Sequence, residues 1–429
     1  MQILRKVPLW TVIALLVYMP LHIFLAQSLS LVTGGLEEWK AAKDVTLFLA
    51  VVFSLVLVWW TGAYQKSKAY QIFLGLTLAY SSLHLLIWAL NPDINTSAAV
   101  LGSVYNARLV GFGLLGWSAV LVYPGKIDIK QVFKIVIIIS TLVSLLGILQ
   151  YLLPKDILTH VGYSLERGVK PAFFIDDKPD LPRIMSTLRD PNSLGAYLIL
   201  PITLLSLAWA RLPKRRMLVS GLLLLHVWAL FLTFSRSAWL GALLSVGLVL
   251  TWNYKKQAKK FTKKYWPILT ACLVVLVAGV FLLRDQYTVQ NIIFHSDENT
   301  KLTDSNNRHI EFAQQGLQGI AERPLGHGPG TAGLVSIRTG KVVLTENYLV
   351  QIGYEVGVVG IILLIGACFV ILKQLLKASG SLPRALIASF AGITLCSLLL
   401  LTWSNEAVAA TWWLLAGLAA ASLRSKKLG

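Results

Sequence analysis

Charge is what this chain has least of. Only 14% of its 429 residues are Asp, Glu, Lys or Arg, against 56% hydrophobic, and a soluble domain does not cover its surface with so little. Acids are the scarcer sign: 20 Asp and Glu stand against 39 Lys and Arg, a net charge of +19. Cysteine is nearly missing. Cys272, Cys368 and Cys396 all fall within apolar runs, so there is no disulfide framework to read. The chain shows no internal repeat and no matched pair of broken helices of the kind found in many secondary transporters. It also lacks a nucleotide loop. The stretch "GHGPG" (326–330) has neither the strand and helix flanks nor the lysine such a loop requires, and reads as a turn, with a nest of backbone amides for phosphate as the alternative.

What is there in abundance is apolar sequence in lengths that cross a bilayer, roughly 17 to 25 residues each. Twelve spans are expected, near 8–26, 44–61, 69–90, 99–123, 132–153, 193–210, 216–233, 236–252, 266–283, 346–372, 384–402 and 405–423. The fold class is therefore an all-α integral membrane protein.

Basic residues fix its orientation, because short loops rich in them stay cytoplasmic. With Arg5 and Lys6 inside, alternate connections carry Lys66 and Lys68; Lys126, Lys130 and Lys134; Arg211, Lys214, Arg215 and Arg216; the run Lys255 to Lys264; Lys373, Lys377 and Arg384; and Arg424, Lys426 and Lys427. Well over half of the basic residues are thus topological, which argues against a nucleic-acid partner. The run "NYKKQAKKFTKKYW" (253–266) is read as an inside loop, with docking to anionic lipid as the alternative. Both termini are expected in the cytoplasm, the first helix being an uncleaved anchor, since "FLAQSLS" is a poor cleavage site.

Three regions follow: residues 1–283 with helices one to nine and an outside loop at 154–192, an extracytoplasmic loop domain at 284–345, and residues 346–429 with helices ten to twelve. The loop domain is expected to hold a short amphipathic helix through Ile310, Ala313, Leu317 and Ile320, ending before Pro324.

Basic residues also remain where the orientation rule should deplete them, outside or within helices: Lys40, Lys43, Arg108, Lys155, Arg167, Lys170, Lys178, Arg183, Arg189, Arg236, Arg284, Lys301, Arg308, Arg323, Arg338 and Lys341. Arg236 sits in "LTFSRSAWLG", at the outer mouth between the seventh and eighth spans. A snorkelling side chain is one reading. An anion site is the other, because a guanidinium matches phosphate oxygens in pairs and stays charged at any pH. An anion held at the outer membrane surface suggests a polyprenyl diphosphate carrying a glycan.

Four patches then resemble the O-antigen ligase and O-antigen polymerase superfamily of bacterial membrane glycosyltransferases: "WKAAKD" before the second span, "PRIMSTLRDPNSLGAYL" entering the sixth, "TFSRSAWLG", and "NNRHIEF" through "ERPLGHGPGT" to "TENYLVQIGYEVGVVG". The similarity runs over about 36–420. It implies an enzyme of the bacterial inner membrane with its active site on the outer face, moving a glycan from undecaprenyl diphosphate to an acceptor hydroxyl, whether lipopolysaccharide core or growing polysaccharide, with neither metal nor cofactor.

By the same resemblance Arg183, eight residues before Pro191 and Asn192, and Arg236 of the Ser-Arg motif would bind the diphosphate, and Arg308 matches a third family arginine. Arg189, Asn192, Asn347, Tyr348 and His327 are expected to contact substrate. Glu346 stands where ligases of the family carry histidine. A carboxylate there could take the acceptor's proton or pair with an arginine as scaffold, and the exchange favours a polymerase or a ligase with another acceptor. A transporter of lipid-linked oligosaccharide is the competing class. His309 is a second candidate imidazole, and the acidic group Asp176, Asp177 and Asp180 is read as solvated loop, as are Glu37 and Glu38. His22, His84 and His226 are read as core residues, and Trp403, Trp412 and Trp413 as helix-end aromatics that could stack on sugar.

Overall fold

A computed structural model describes residues 2–124, 128–175, 178–254, 278, 281–282, 286, 305–378 and 380–421. The apolar runs become helices: α1 (Leu4–Thr33), α2 (Leu36–Trp60), α3 (Lys68–Ala89), α4 (Thr96–Val122), α5 (Ile129–Leu152), α6 (Pro191–Arg211), α7 (Arg216–Leu232), α8 (Arg236–Asn253), α9 (Ser305–Glu322), α10 (Tyr348–Lys377), α11 (Ser381–Cys396) and α12 (Glu406–Ala421). Their starts are set by side chains that accept the first free backbone amides. Ser67, Asn95, Asp128, Asp190 and Asn347 cap α3, α4, α5, α6 and α10 in this way. α1 passes through a tighter turn at Met19–Leu21, where Pro20 removes a donor.

Eight helices among the described residues are long and apolar enough to cross a membrane: α1 to α7 and α10. α11 and α12 are shorter. The run expected at 384–402 ends early, at Cys396, while the run expected at 405–423 begins at Glu406 as the spacing predicts, and 397–405 between them is turns and one short 3-10 turn. Irregular backbone at such a depth is tolerated where it lines a cavity, and Leu400, Leu401, Thr402, Ser404 and Asn405 all do. The expected ninth span, 266–283, and the basic run after Tyr254 lie outside the described residues, apart from 278 and 281–282.

α12 is apolar all round and buried from Ala407 to Ala421, the mark of a central helix. It lies along α4 at backbone contact, since a Cβ on Gly116 would strike the Leu414 carbonyl and one on Gly417 the Gly113 carbonyl. Gly241 of α8 and Gly392 of α11 form a second such crossing. α2, α3 and α7 instead present large apolar side chains outward, Phe48, Trp59, Leu85, Leu218 and Trp228 among them, as lipid-facing helices do.

The segment between α5 and α6 folds over the end of α1. A short hairpin pairs β1 (Phe173–Phe174) antiparallel with β2 (Pro182–Arg183), and Leu158, Tyr163, Val169 and Met185 form a small core beneath it. Arg167 fastens this segment to α1, donating to Gln27 Oε1 at 2.9 Å, to the Gln27 carbonyl at 3.0 Å and to Ser30 Oγ at 2.5 Å. Asp176 and Asp177 lie outside the described residues.

The amphipathic helix is α9. Its buried stripe runs through Gly316 and Gly319, which let Val350 and Tyr354 of α10 approach closely. Leu317, expected on that stripe, is 56% exposed; the small residues decide which face packs.

Candidate active site

The strip 182–190 is held at nearly every residue. Ile184 N–H donates to the Leu232 carbonyl, Met185 and Ser186 N–H both donate to Gln150 Oε1, and Thr187 Oγ1 donates to the Pro20 carbonyl at 2.7 Å. Asp190 then starts α6 as cap, with Pro191 at the first helical position, where proline costs least. These fastenings aim Arg189 and Asn192 into a cleft.

Arg183 ties two of the family-like patches together. Its Nε donates to the Thr233 carbonyl at 2.9 Å and its Nη2 to Asn192 Oδ1 at 2.9 Å, bridging the entry of α6 to the turn between α7 and α8. Arg236 opens α8 three residues beyond Thr233. A cation at a helix start opposes the helix dipole by roughly 0.3–1 kcal/mol, whereas the same place favours an anion.

The third patch enters α10. Asn347 accepts from Leu349 and Val350 N–H at 2.9 and 3.2 Å and donates to the Leu398 carbonyl at 3.3 Å. Its side chain is therefore a cap. Tyr348 is 2% exposed. Glu346, immediately before, lines the cleft in a left-handed backbone conformation, φ +50°.

Three residues other than glycine have positive φ among the described residues: Ser186, Phe234 and Glu346. Each lies in a different family-like patch. Such conformations cost of order 1–3 kcal/mol apiece and gather at functional sites.

The cleft has a volume of about 500 Å³. Arg189, Asn192 and Glu346 meet in its wall, with Lys40, Tyr105 and Asn106. Arg183, Asn347, Tyr348 and His327 do not line it, and Arg308 is carried by the first turn of α9. The His327 ring stacks on Tyr354 at 4.1 Å between centroids and its Nε2 is 2.9 Å from the Gly319 carbonyl, so it fixes α9 to α10.

The "GHGPG" stretch is a turn serving the same end. Non-helical dihedrals at Val356 and Gly357 kink α10, which frees two carbonyls and an amide that must find other partners. His327 and Gly328 N–H donate to the Tyr354 and Glu355 carbonyls, both at 2.8 Å, and Val358 N–H donates to the Pro324 carbonyl at 2.9 Å. Its amides are engaged by the helix rather than arrayed for phosphate.

The cleft floor holds a cluster that the composition only hinted at. Glu406 Oε2 takes Arg108 Nη1 at 3.1 Å and Lys43 Nζ at 3.2 Å, Asp44 takes Lys43 at 3.2 Å and Arg108 at 3.5 Å, and His22 Nε2 lies 3.6 Å from Glu406 Oε1. Arg108 also donates to the Ser404 carbonyl at 2.9 Å, pinning the irregular segment between α11 and α12. Two cations face two carboxylates, so the cluster is balanced. Lys43 and Asp44 end the patch "WKAAKD", and the signal available for the rest was a single charge in each of two apolar runs, Arg108 and Glu406. Arg189 differs: no described residue hydrogen-bonds or ion-pairs with it.

Residues 221–365 match the family model described as O-antigen ligase. Comparison with curated proteins finds none that matches. The matched span runs from α7 into α10, and so includes Arg236, the α9 segment, the "GHGPG" turn and Glu346, while Arg183, Arg189 and Asn192 join it through the fold. Over that span, about a third of its length, the chain is similar to the O-antigen ligase family.

Proposed function

We propose that this protein transfers a glycan from undecaprenyl diphosphate to a hydroxyl of an acceptor at the outer face of a bacterial inner membrane, without a metal ion. The observation that carries the proposal is the cleft itself, in which Arg189, with no hydrogen-bond or ion-pair partner among the described residues, shares a wall with Asn192 and with a carboxylate, Glu346, some 150 residues away in sequence.

In this scheme the diphosphate lies against Arg189, while Arg183 holds the turn that carries Arg236 and the start of α8 against the same strip, so that fixed positive charge stabilises the leaving group as it forms. The acceptor hydroxyl attacks the anomeric carbon. The bond from that carbon to the diphosphate oxygen breaks, undecaprenyl diphosphate leaves with the electron pair, and the hydroxyl proton passes to Glu346. General-base help of this kind is worth roughly 10²–10⁴ in rate. Lys43 and Arg108, already balanced by Asp44 and Glu406, shape the floor and do not take the phosphates.

Glutamate in the place of the family histidine supports a polymerase, or a ligase whose acceptor is not lipopolysaccharide core. Transfer assayed with purified protein, undecaprenyl-diphosphate glycan, candidate acceptors and chelator tests the scheme. A ladder of products identifies a polymerase and a single shifted band a ligase; Arg189→Ala and Glu346→Gln are each expected to lose at least about 100-fold in rate. Glycan-lipid binding without release of undecaprenyl diphosphate would sink the transferase and favour a carrier of lipid-linked oligosaccharide.

A further inference from the structure

Behind the cleft wall lies a buried carboxylate that the transfer scheme does not use. Glu355, fully buried at the kink of α10, accepts from Asn106 Nδ2 at 2.5 Å, from Ala332 N–H at 3.3 Å and from Gln351 Nε2 at 3.4 Å. Asn106 and Gln351 both line the cleft. Each amide is thus tethered by its nitrogen, which dictates where its oxygen goes.

For Asn106 the assignment is over-determined. His84 Nδ1 lies 2.8 Å from the Tyr80 carbonyl, which only accepts, so Nδ1 carries the proton and Nε2 is an acceptor. Nε2 is 3.1 Å from the same Asn106 nitrogen that meets Glu355. An atom flanked by two acceptors must be the NH₂, and both of its protons are spent away from the cleft. Asn106 Oδ1 receives no hydrogen bond from any described residue. Gln351 differs: its Oε1 is buried against Gly333, with no hydrogen-bond partner among the described residues.

We infer that Asn106 is a sugar-reading subsite, in which Oδ1, locked by Glu355 and His84, accepts a hydrogen bond from a ring hydroxyl or acetamido N–H of the glycan. This rests on the reading of the cleft as a glycan site. Glu355 and His84 are positioning residues: they touch no substrate, and they deny Asn106 the rotation that would present its NH₂ instead. A site built to hydrogen-bond a substrate hydroxyl rejects analogues lacking it far better than an apolar wall can.

The test is direct binding to the full-length protein in detergent, by saturation-transfer NMR titration with methyl glucoside, methyl N-acetylglucosaminide and the monodeoxy methyl glucosides. Wild type should bind one deoxy analogue roughly tenfold more weakly than its parent, the loss expected for one neutral hydrogen bond. In Asn106→Leu that difference should vanish, the parent falling to the level of the deoxy sugar while the deoxy sugar itself is unchanged. Glu355→Gln, which keeps the volume but frees the amides to turn over, should erode the same discrimination, and it carries the test if Asn106→Leu does not fold. Equal loss for every sugar, no loss in either variant, or no glycoside binding by wild type would overturn the subsite. Discrimination by a protein that transfers no glycan would leave the subsite standing and end the transferase reading; transfer indifferent to Asn106 would do the reverse.

Discussion

Glu346 holds φ at +50° in a chain that contains glycine freely, and a left-handed backbone costs a residue with a Cβ roughly 1–2 kcal/mol. If the carboxylate is retained for chemistry, Glu346→Gly should relieve that backbone cost while transfer drops at least about 100-fold. A lower melting temperature together with full activity would make Glu346 structural. Asn347 next to it is a cap, and Asn347→Ala should cost about 1 kcal/mol. Asn347→Asp keeps the acceptor oxygen and should restore both melting temperature and transfer; a residue needed for substrate contact would not be rescued so. On the cleft floor, Glu406→Ala leaves Lys43 and Arg108 facing only Asp44 and should destabilise by about 3–5 kcal/mol in chemical denaturation. Asp44, the weaker partner by distance, should cost less.

At the scale of elements, the kink of α10 decides where the cleft wall stands. Gly357, φ +72°, sits where a Cβ would strike the Pro324 carbonyl and Leu325. Gly357→Ala should lose roughly 1–3 kcal/mol and expose the 324–330 turn to protease, because the kink is what presents the Tyr354 and Glu355 carbonyls to the His327 and Gly328 amides. Most elements were readable beforehand, for a plain reason: apolar runs of bilayer length have no alternative to helix. The elements that were misjudged are those where local sequence does not decide. The run expected to 402 is apolar enough to continue past Cys396, but Arg108, a charge from another helix, claims the Ser404 carbonyl and draws the backbone into the cleft. In α9 the hydrophobic spacing pointed to Leu317, whereas two glycines made the better contact. Patterns of apolar residues report burial in general, not which neighbour can come nearest.

Across the whole molecule, the cleft assembles Arg189 from the α5–α6 segment, Asn192 from the first turn of α6 and Glu346 from just before α10, with walls from α1, α2, α4 and the approach to α12. These residues were visible one patch at a time. Their meeting was not, and neither was the role of Asn106, an ordinary amide in an apolar run until Glu355 and His84 are seen behind it. Arg183 was expected beside the diphosphate; it bridges Thr233 and Asn192, and so holds the Arg236 turn against the Arg189 strip. The most direct test is release of undecaprenyl diphosphate by purified wild type, Arg189→Ala and Glu346→Gln, given undecaprenyl-diphosphate glycan and acceptor in the presence of chelator. Release by wild type alone, with the glycan recovered on the acceptor, is the predicted result. Release that Arg189→Ala and Glu346→Gln match, or none from folded wild type with any acceptor, would contradict it.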